Sequence, residues 1–243
     1  MLFDIVTIFP DFFRSPLEEG VLHRAISQGI VRVRTTNLRD FATDRHRTVD
    51  DRPYGGGDGM VMKPEPLHAA IEHLKSDGEA GPVILLSPRG ELLDQAKVRE
   101  LACFPRIILV CGRYEGVDER FRECCADLEL SIGDYILTGG EIAALVVIDS
   151  VSRHVPGVLG CETSAEEESF TDGLLEYPQY TRPPVFHGMA VPEVLVSGDH
   201  ARIARWRRNE ALRITLERRP ELLRTARLTQ EDREELRRLG WPS

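Results

Sequence analysis

The sequence predicts an α/β protein, a mostly parallel sheet with helices on both faces, followed by a small C-terminal helical domain. Three observations carry this. Short apolar runs alternate with helix-period segments through the first 155 residues. Several of those runs are apolar throughout, as strands covered on both faces are. Beyond Pro192 the chain turns Arg-rich and reads as helix.

Taken in order, residues 3–9 form a continuous apolar run and read as a buried strand. Residues 17–28 place Leu17, Val21, Leu22, Ala25 and Ile26 on one helical face, and Gly29 closes the helix. Residues 31–38 alternate and read as a strand. Residues 64–75 form a helix with Leu67, Ala70, Ile71 and Leu74 inward. A buried strand over 82–86, a helix over 94–103 and strands over 106–110 and 127–132 follow, and a helix over 140–151 ends the series. Residues 156–185 break the rhythm with repeated Pro and Gly and the acidic run Glu166-Glu167-Glu168, which predicts a linker or functional loop rather than a packed element. Helices follow over 200–218 and 229–239, separated by Pro220; Thr229 with Asp232 has the form of an N-cap. The division expected is 1–160 for the sheet domain, 161–175 for the linker and 176–243 for the helical domain.

Composition narrows the class. An apolar content of 42% over 243 residues supports a true core. No run approaches the roughly 20 apolar residues that span a bilayer, so no membrane association is expected. The N-terminus carries Asp4 and no basic start, and reads as a strand rather than a signal peptide. The five cysteines are odd in number and form no CxxC pair, as expected of a reduced cytoplasmic protein without structural zinc. Cys103, Cys111, Cys124 and Cys125 read as small core residues. The net charge of −9 hides an asymmetry: residues 201–243 hold twelve Arg, no Lys and seven acids, so a basic tail follows an acidic body.

Two segments carry chemistry. Residues 131–141, Ser-Ile-Gly-Asp-Tyr-Ile-Leu-Thr-Gly-Gly-Glu, follow a strand and open a helix. Their glycines expose main-chain polar groups beside flat apolar side chains, a surface suited to a purine. Residues 111–120, Cys-Gly-Arg-Tyr-Glu-Gly-Val-Asp-Glu-Arg, repeat that character after another strand. Together they predict one nucleotide-like ligand at one sheet edge. No GxGxxG, Walker, HExxH or GxSxG pattern occurs. Three features keep two readings each. Residues 54–59, Tyr-Gly-Gly-Gly-Asp-Gly, suit a plain turn or a ligand-contacting loop. Arg153 suits helix C-terminal complementation or a site. The acidic run suits a solvated face or the source of a general base.

These segments are similar to those of the bacterial tRNA (guanine-N1)-methyltransferases, the TrmD family of the SPOUT superfamily. The matching stretches include Asp51–Gly57 with Gly59-Met60, Leu86-Ser87-Pro88, Cys111–Gly116, Ser131–Glu141 and Asp149–Arg153. Pro156–Gly160, Glu168-Ser169-Phe170, Tyr180–Pro183, Trp206-Arg207 and Arg218–Leu223 continue them in the family's order. The resemblance implies a deep trefoil knot, S-adenosyl-L-methionine as methyl donor, and a homodimer with shared active sites. It also implies binding of the tRNA anticodon arm by the C-terminal domain and methylation of N1 of the guanosine immediately 3′ of the anticodon, position 37. By motif match, Leu86, Ser87, Pro88, Gly112, Tyr114, Glu115, Ile132, Gly133, Asp134, Tyr135, Ile136, Leu137, Gly139 and Gly140 correspond to the cofactor pocket. Arg153 matches the catalytic arginine, and Glu168 stands where the family usually has an aspartate base. Ala143 stands where a proline is expected, which predicts a looser turn. Mg2+ is implied as an assisting ion, with no ligand cluster visible in the sequence. Action on another RNA, or a non-catalytic RNA-binding module, are the alternatives.

Overall fold

The computed structural model describes residues 1–76, 78–160 and 168–241. The chain divides into two compact units, Met1–Glu162 and Thr163–Ser243. The acidic residues Glu166 and Glu167 and the thiol of Cys161 lie outside the described residues.

In the first unit the elements run β1 (Leu2–Thr7), α1 (Arg14–Leu17), α2 (Gly20–Ser27), β2 (Arg32–Asn37), β3 (Asp50–Asp51), β4 (Val61–Met62) and α3 (Pro64–Lys75). They continue as β5 (Val83–Leu92), α4 (Gln95–Ala102), β6 (Arg106–Cys111), α5 (Glu119–Cys125), β7 (Leu128–Ser131) and α6 (Glu141–Ser152). Among the described residues, five strands join in the order β2-β1-β6-β5-β7, every pair parallel.

The period-2 alternation of strands sorts the apolar side chains onto two faces. Phe3, Ile5, Ile84, Leu86, Ile107 and Leu109 enter one cluster with residues of α2, α4 and α6. Val6, Val83, Leu85, Ile108 and Val110 enter the other, with Leu67, Ala70 and Ile71 of α3 and Phe121 of α5. Helices therefore cover both faces, and the continuous apolar runs belong to the inner strands.

One charged group is buried at the strand starts. Asp4 is fully buried and accepts from Arg106 Nε at 2.7 Å. It also accepts from Arg34 Nε at 2.6 Å and Arg34 Nη2 at 2.9 Å. Arg106, itself 1% exposed, donates to the carbonyls of Glu79 and Leu74. Pairing and hydrogen bonding at both ends make the burial of these charges tolerable.

Three local differences from the sequence reading have physical causes. The expected helix over 17–28 is broken: Glu19 is extended, and α2 begins at Gly20, whose φ of 69° a side chain would strain. The strand expected to end at 86 resumes after an irregularity between Leu86 and Glu91. Residues 119–125 form a short helix capped by Asp118, whose side chain accepts from Arg120 N. That helix turns Cys124 outward, and Cys103 is likewise exposed, so only Cys111 is a fully buried cysteine among the described residues.

The second unit contains the hairpin β8 (Val185–Phe186) and β9 (Met189–Ala190), then α7 (Glu193–Val196), α8 (His200–Arg218) and α9 (Gln230–Arg238). Its core joins Leu174, Ala211, Leu212, Leu223 and Leu236. Thr229 and Asp232 form a reciprocal capping box at the start of α9. The described part of the Pro- and Gly-punctuated stretch, from Glu168 to Pro184, forms no helix or strand but is anchored around Leu174. Leu174 is buried, and Leu175 N donates to Thr215 Oγ1 of α8 at 2.9 Å. Among the described residues, no helix is long and apolar enough to cross a membrane.

Candidate active site

The site lies outside the carboxyl ends of β5, β6 and β7, where open parallel sheets hold ligands. After Leu86, β5 leaves register and rejoins β7 at Glu91. The excursion sets Ser87 and Pro88 into a cavity wall, with Ser87 Oγ accepting from Arg89 N at 3.1 Å. Gly90 is obligatory there: a Cβ would stand 2.3 Å from Leu130 N.

The second wall is the loop after β6. Tyr114 holds a left-handed φ of 60° without being glycine, the kind of backbone strain that gathers at functional sites. The glycine-rich stretch backs this loop, with Glu115 N donating to Met60 O at 3.0 Å and Met62 N to Gly116 O at 2.9 Å.

The third wall is the loop after β7, stitched to the second. Gly140 N donates to Gly112 O at 2.9 Å, and Arg113 and Gly139 form a bridge. A Cβ at Gly140 would fall 2.7 Å from Cys111 Cα, and one at Gly139 would fall 2.1 Å from Arg113 Nε. The turn before Ala143 is therefore held by the neighbouring loop without a proline.

Beneath the stitch is a buried polar relay. Glu141, 1% exposed, accepts from Thr7 Oγ1 at 2.7 Å and from Arg113 Nε at 2.9 Å. Arg113 also donates to Thr138 O at 3.0 Å and lies over the Phe9 ring at 4.7 Å. Burial pushes the Cys111 thiol well up, with the Glu141 carboxylate adding to it, so this cysteine is chemically inert.

The three loops enclose a cavity of about 420 Å³. Of the residues assigned to the cofactor pocket, Leu86, Ser87, Pro88, Gly112, Tyr114, Glu115, Ile132, Gly133, Tyr135, Ile136, Leu137, Gly139 and Gly140 line it together. Asp134 is exposed on the same loop and is not among the lining residues. Sequence reasoning missed Arg89, Arg113, Glu119 and Glu129. Arg89 Nη2 stands 2.9 Å from Glu119 Oε2, and Arg89 Nε 3.5 Å from Glu129 Oε1. Arg113 and Glu141 lie in the two glycine-bearing segments, but both segments hold other charges and nothing local pairs these two.

The two residues matched to catalysis are not among the residues that line this cavity. Arg153 is the C-cap of α6 and lines a separate cavity of about 340 Å³ with Val21, Leu22, Asp149 and Ser152. With the 12 residues of α6 between them, it lies about 20 Å from Gly140 along the helix axis. Glu168 belongs to the second unit, half-buried, with its carbonyl accepting from Thr171 N.

The family model described as tRNA (Guanine-1)-methyltransferase TrmD matches residues 1–225. A protein of Geobacter sulfurreducens named tRNA (guanine-N(1)-)-methyltransferase is 58% identical over 234 residues, 96% of either chain. Its namesake in Chloroflexus aggregans is 58% identical over 246 residues, covering 99% of this chain and 96% of its own. One from Caldanaerobacter subterraneus is 56% identical over 241 residues, 99% of each. With a match that runs through all three cavity walls and on into the helical unit, this chain belongs to the tRNA (guanine-1)-methyltransferase TrmD family.

Proposed function

We propose that this protein transfers a methyl group from S-adenosyl-L-methionine to N1 of the guanosine immediately 3′ of the anticodon, position 37 of tRNA. The observation that carries the reading is the cavity formed by the irregularity of β5 and the stitched loops after β6 and β7. Its size is that of a small-ligand site, and its walls pair apolar cover (Leu86, Ile132, Leu137) with close backbone approach at Gly112, Gly139 and Gly140. Glu115, Glu119 and Glu129 outnumber Arg89 and Arg113 on the lining, and Arg113 is balanced by Glu141, so the balance suits a cationic ligand.

When bound there, the donor supplies an electrophilic methyl on a sulfonium. The chain's own residues then manage the acceptor. Guanine N1 carries a proton at neutral pH, and Glu168 removes it as general base. Charge that develops on O6 is met by the guanidinium of Arg153. Glu168 is one methylene longer than the family's usual aspartate, and the fixed turn at Ser169, whose Oγ accepts from Glu176 N at 2.9 Å, sets its backbone.

The length of α6 between Gly140 and Arg153 supports a homodimer in which each site takes residues from both protomers. The stitch between the loops after β6 and β7 is consistent with the family's trefoil knot. Residues 161–175 serve as the linker, and the Arg-rich helices beyond it hold the anticodon arm in the cytoplasm. Two features favour RNA there: Arg207 over Tyr177 at 4.9 Å and Trp206 near Tyr180 at 6.2 Å.

The test is mass spectrometry of nucleosides from tRNA incubated with isotope-labelled S-adenosylmethionine. One labelled 1-methylguanosine per tRNA is expected, and none on a transcript with adenosine at position 37. A ribose-methylated product, or label elsewhere, would overturn the assignment.

A further inference from the structure

A thiol pair stands outside the cleft. Cys124 and Cys125 are adjacent at the C-terminal end of α5, with their Sγ atoms 3.1 Å apart. Cys125 Sγ lies 3.5 Å from Nδ1 of His68 on α3. Cys124 and His68 are exposed and Cys125 is half-buried, so the cluster is reachable from solvent. The methyl-transfer chemistry uses none of these groups.

Adjacent thiols have two fates, and geometry separates them. A disulfide needs its Cα atoms about 4.4–6.8 Å apart and its sulfurs at about 2.05 Å. Neighbouring residues on a trans peptide are held at about 3.8 Å. Closing that bond would distort the last turn of α5, whose C-cap Ala126 N donates to Arg122 O. A larger atom set between the sulfurs requires no such contraction. Among the described residues, no three His, Cys, Asp or Glu side chains are placed to hold a metal ion together, so the pair is a two-sulfur bite and not a closed cage.

We propose that Cys124 and Cys125 form a vicinal-dithiol site for a trivalent, thiophilic centre of the arsenite type. With an arsenic(III) oxide group, two As–S bonds form while two S–H bonds and the As–O bonding break. The two protons leave with the oxygen as one water, and no oxidation state changes. His68 takes the proton of Cys125 as the sulfur is captured and hands it to the departing oxygen, so both protons still end in the water. Burial, then the hydrogen bond with Cys124, pushes the Cys125 thiol up to about 11. Lys75 opposes this rise and Glu72 adds to it. At neutral pH Cys125 is therefore chiefly protonated, which blunts its attack by oxidants that need a thiolate.

The probe is phenylarsine oxide, added to the full-length protein in the presence of excess glutathione and read by intact mass. One adduct bridging two thiols is expected. The exposed lone thiol of Cys103 is an internal control, since a single sulfur is out-competed by free monothiol. Cys124→Ser and Cys125→Ser should each weaken capture on the order of 10²-fold, the advantage of two linked ligands over one. Unchanged melting would show both variants folded. His68→Ala should slow capture at the same stoichiometry. An adduct that survives in either cysteine variant would overturn the proposal. So would a loss of two hydrogens on peroxide treatment that abolishes arsenical binding, which would assign the pair to a disulfide.

Discussion

The two units solve the same problem, burying polar groups in a small volume, by opposite means. The sheet unit packs apolar side chains on both faces of its inner strands and tolerates a buried ion pair, Asp4 with Arg106, joined by the half-exposed Arg34. The helical unit has a core centred on Leu174, Ala211, Leu212, Leu223 and Leu236, braced by Asp232, which accepts from Arg208 and from the Thr229 amide. The first is held by area. The second depends on a few contacts and caps, which leaves its exposed surface free to carry arginine.

The largest break in that comparison is expected at Asp4→Ala. Removing one partner of a buried, hydrogen-bonded ion pair leaves Arg106 uncompensated and costs about 3–5 kcal/mol. Urea unfolding of the variant should show this loss in the sheet unit; a change under about 1 kcal/mol would deny the cluster its structural role. Leu212→Ala should cost about 2–5 kcal/mol through cavity formation. In the small core that should unfold the helical unit, abolishing tRNA binding while donor binding, followed by calorimetry, persists. Simultaneous loss of both would mean that the units are not independent.

Glu168→Gln sharpens the comparison by function. Donor affinity should be retained while methyl transfer falls on the order of 10²-fold or more. Full activity would remove Glu168 from the mechanism. Gly140→Ala puts a Cβ against Cys111 backbone, an overpacking expected to cost about 1–3 kcal/mol. It should weaken donor binding more than tRNA binding. The smallest effect is acid sensitivity of the helical unit. Burial alone would raise the Asp232 carboxyl, but hydrogen bonds from Arg208 and the Thr229 amide hold it below its ordinary 3.8. A lowered folded value means that its stabilisation is complete above about pH 4 and is lost as pH falls through the folded pKa. Asp232→Asn should flatten that acid limb in a thermal-melt series; an unchanged limb would assign acid loss to other carboxylates.

Much of the architecture was legible because apolar periodicity is local. The helices Pro64–Lys75 and His200–Arg218 have the bounds their patterns indicate. Thr229 and Asp232 announce their cap within four residues. Where two elements had to meet, the pattern was silent. Nothing local says that β5 bulges at Ser87 and resumes beside β7, or that α5 turns Cys124 outward. The helix broken at Gly20 shows the converse, an apolar stripe overridden by one extended residue, Glu19.

By itself the chain order determined the strand and helix alternation, the basic tail and the glycine-bearing loops, because each depends on residues a few positions apart. Only the tertiary structure decided that the bulge of β5 joins those loops in one cavity wall, that Arg113 and Glu141 brace it, and that Arg153 stands a helix-length from it. The reason is physical. Main-chain approach as close as that at Gly139 and Gly140 is set by what arrives from the other loop, 28 residues away in the pair Arg113 and Glu141. Short-range pattern cannot encode that meeting.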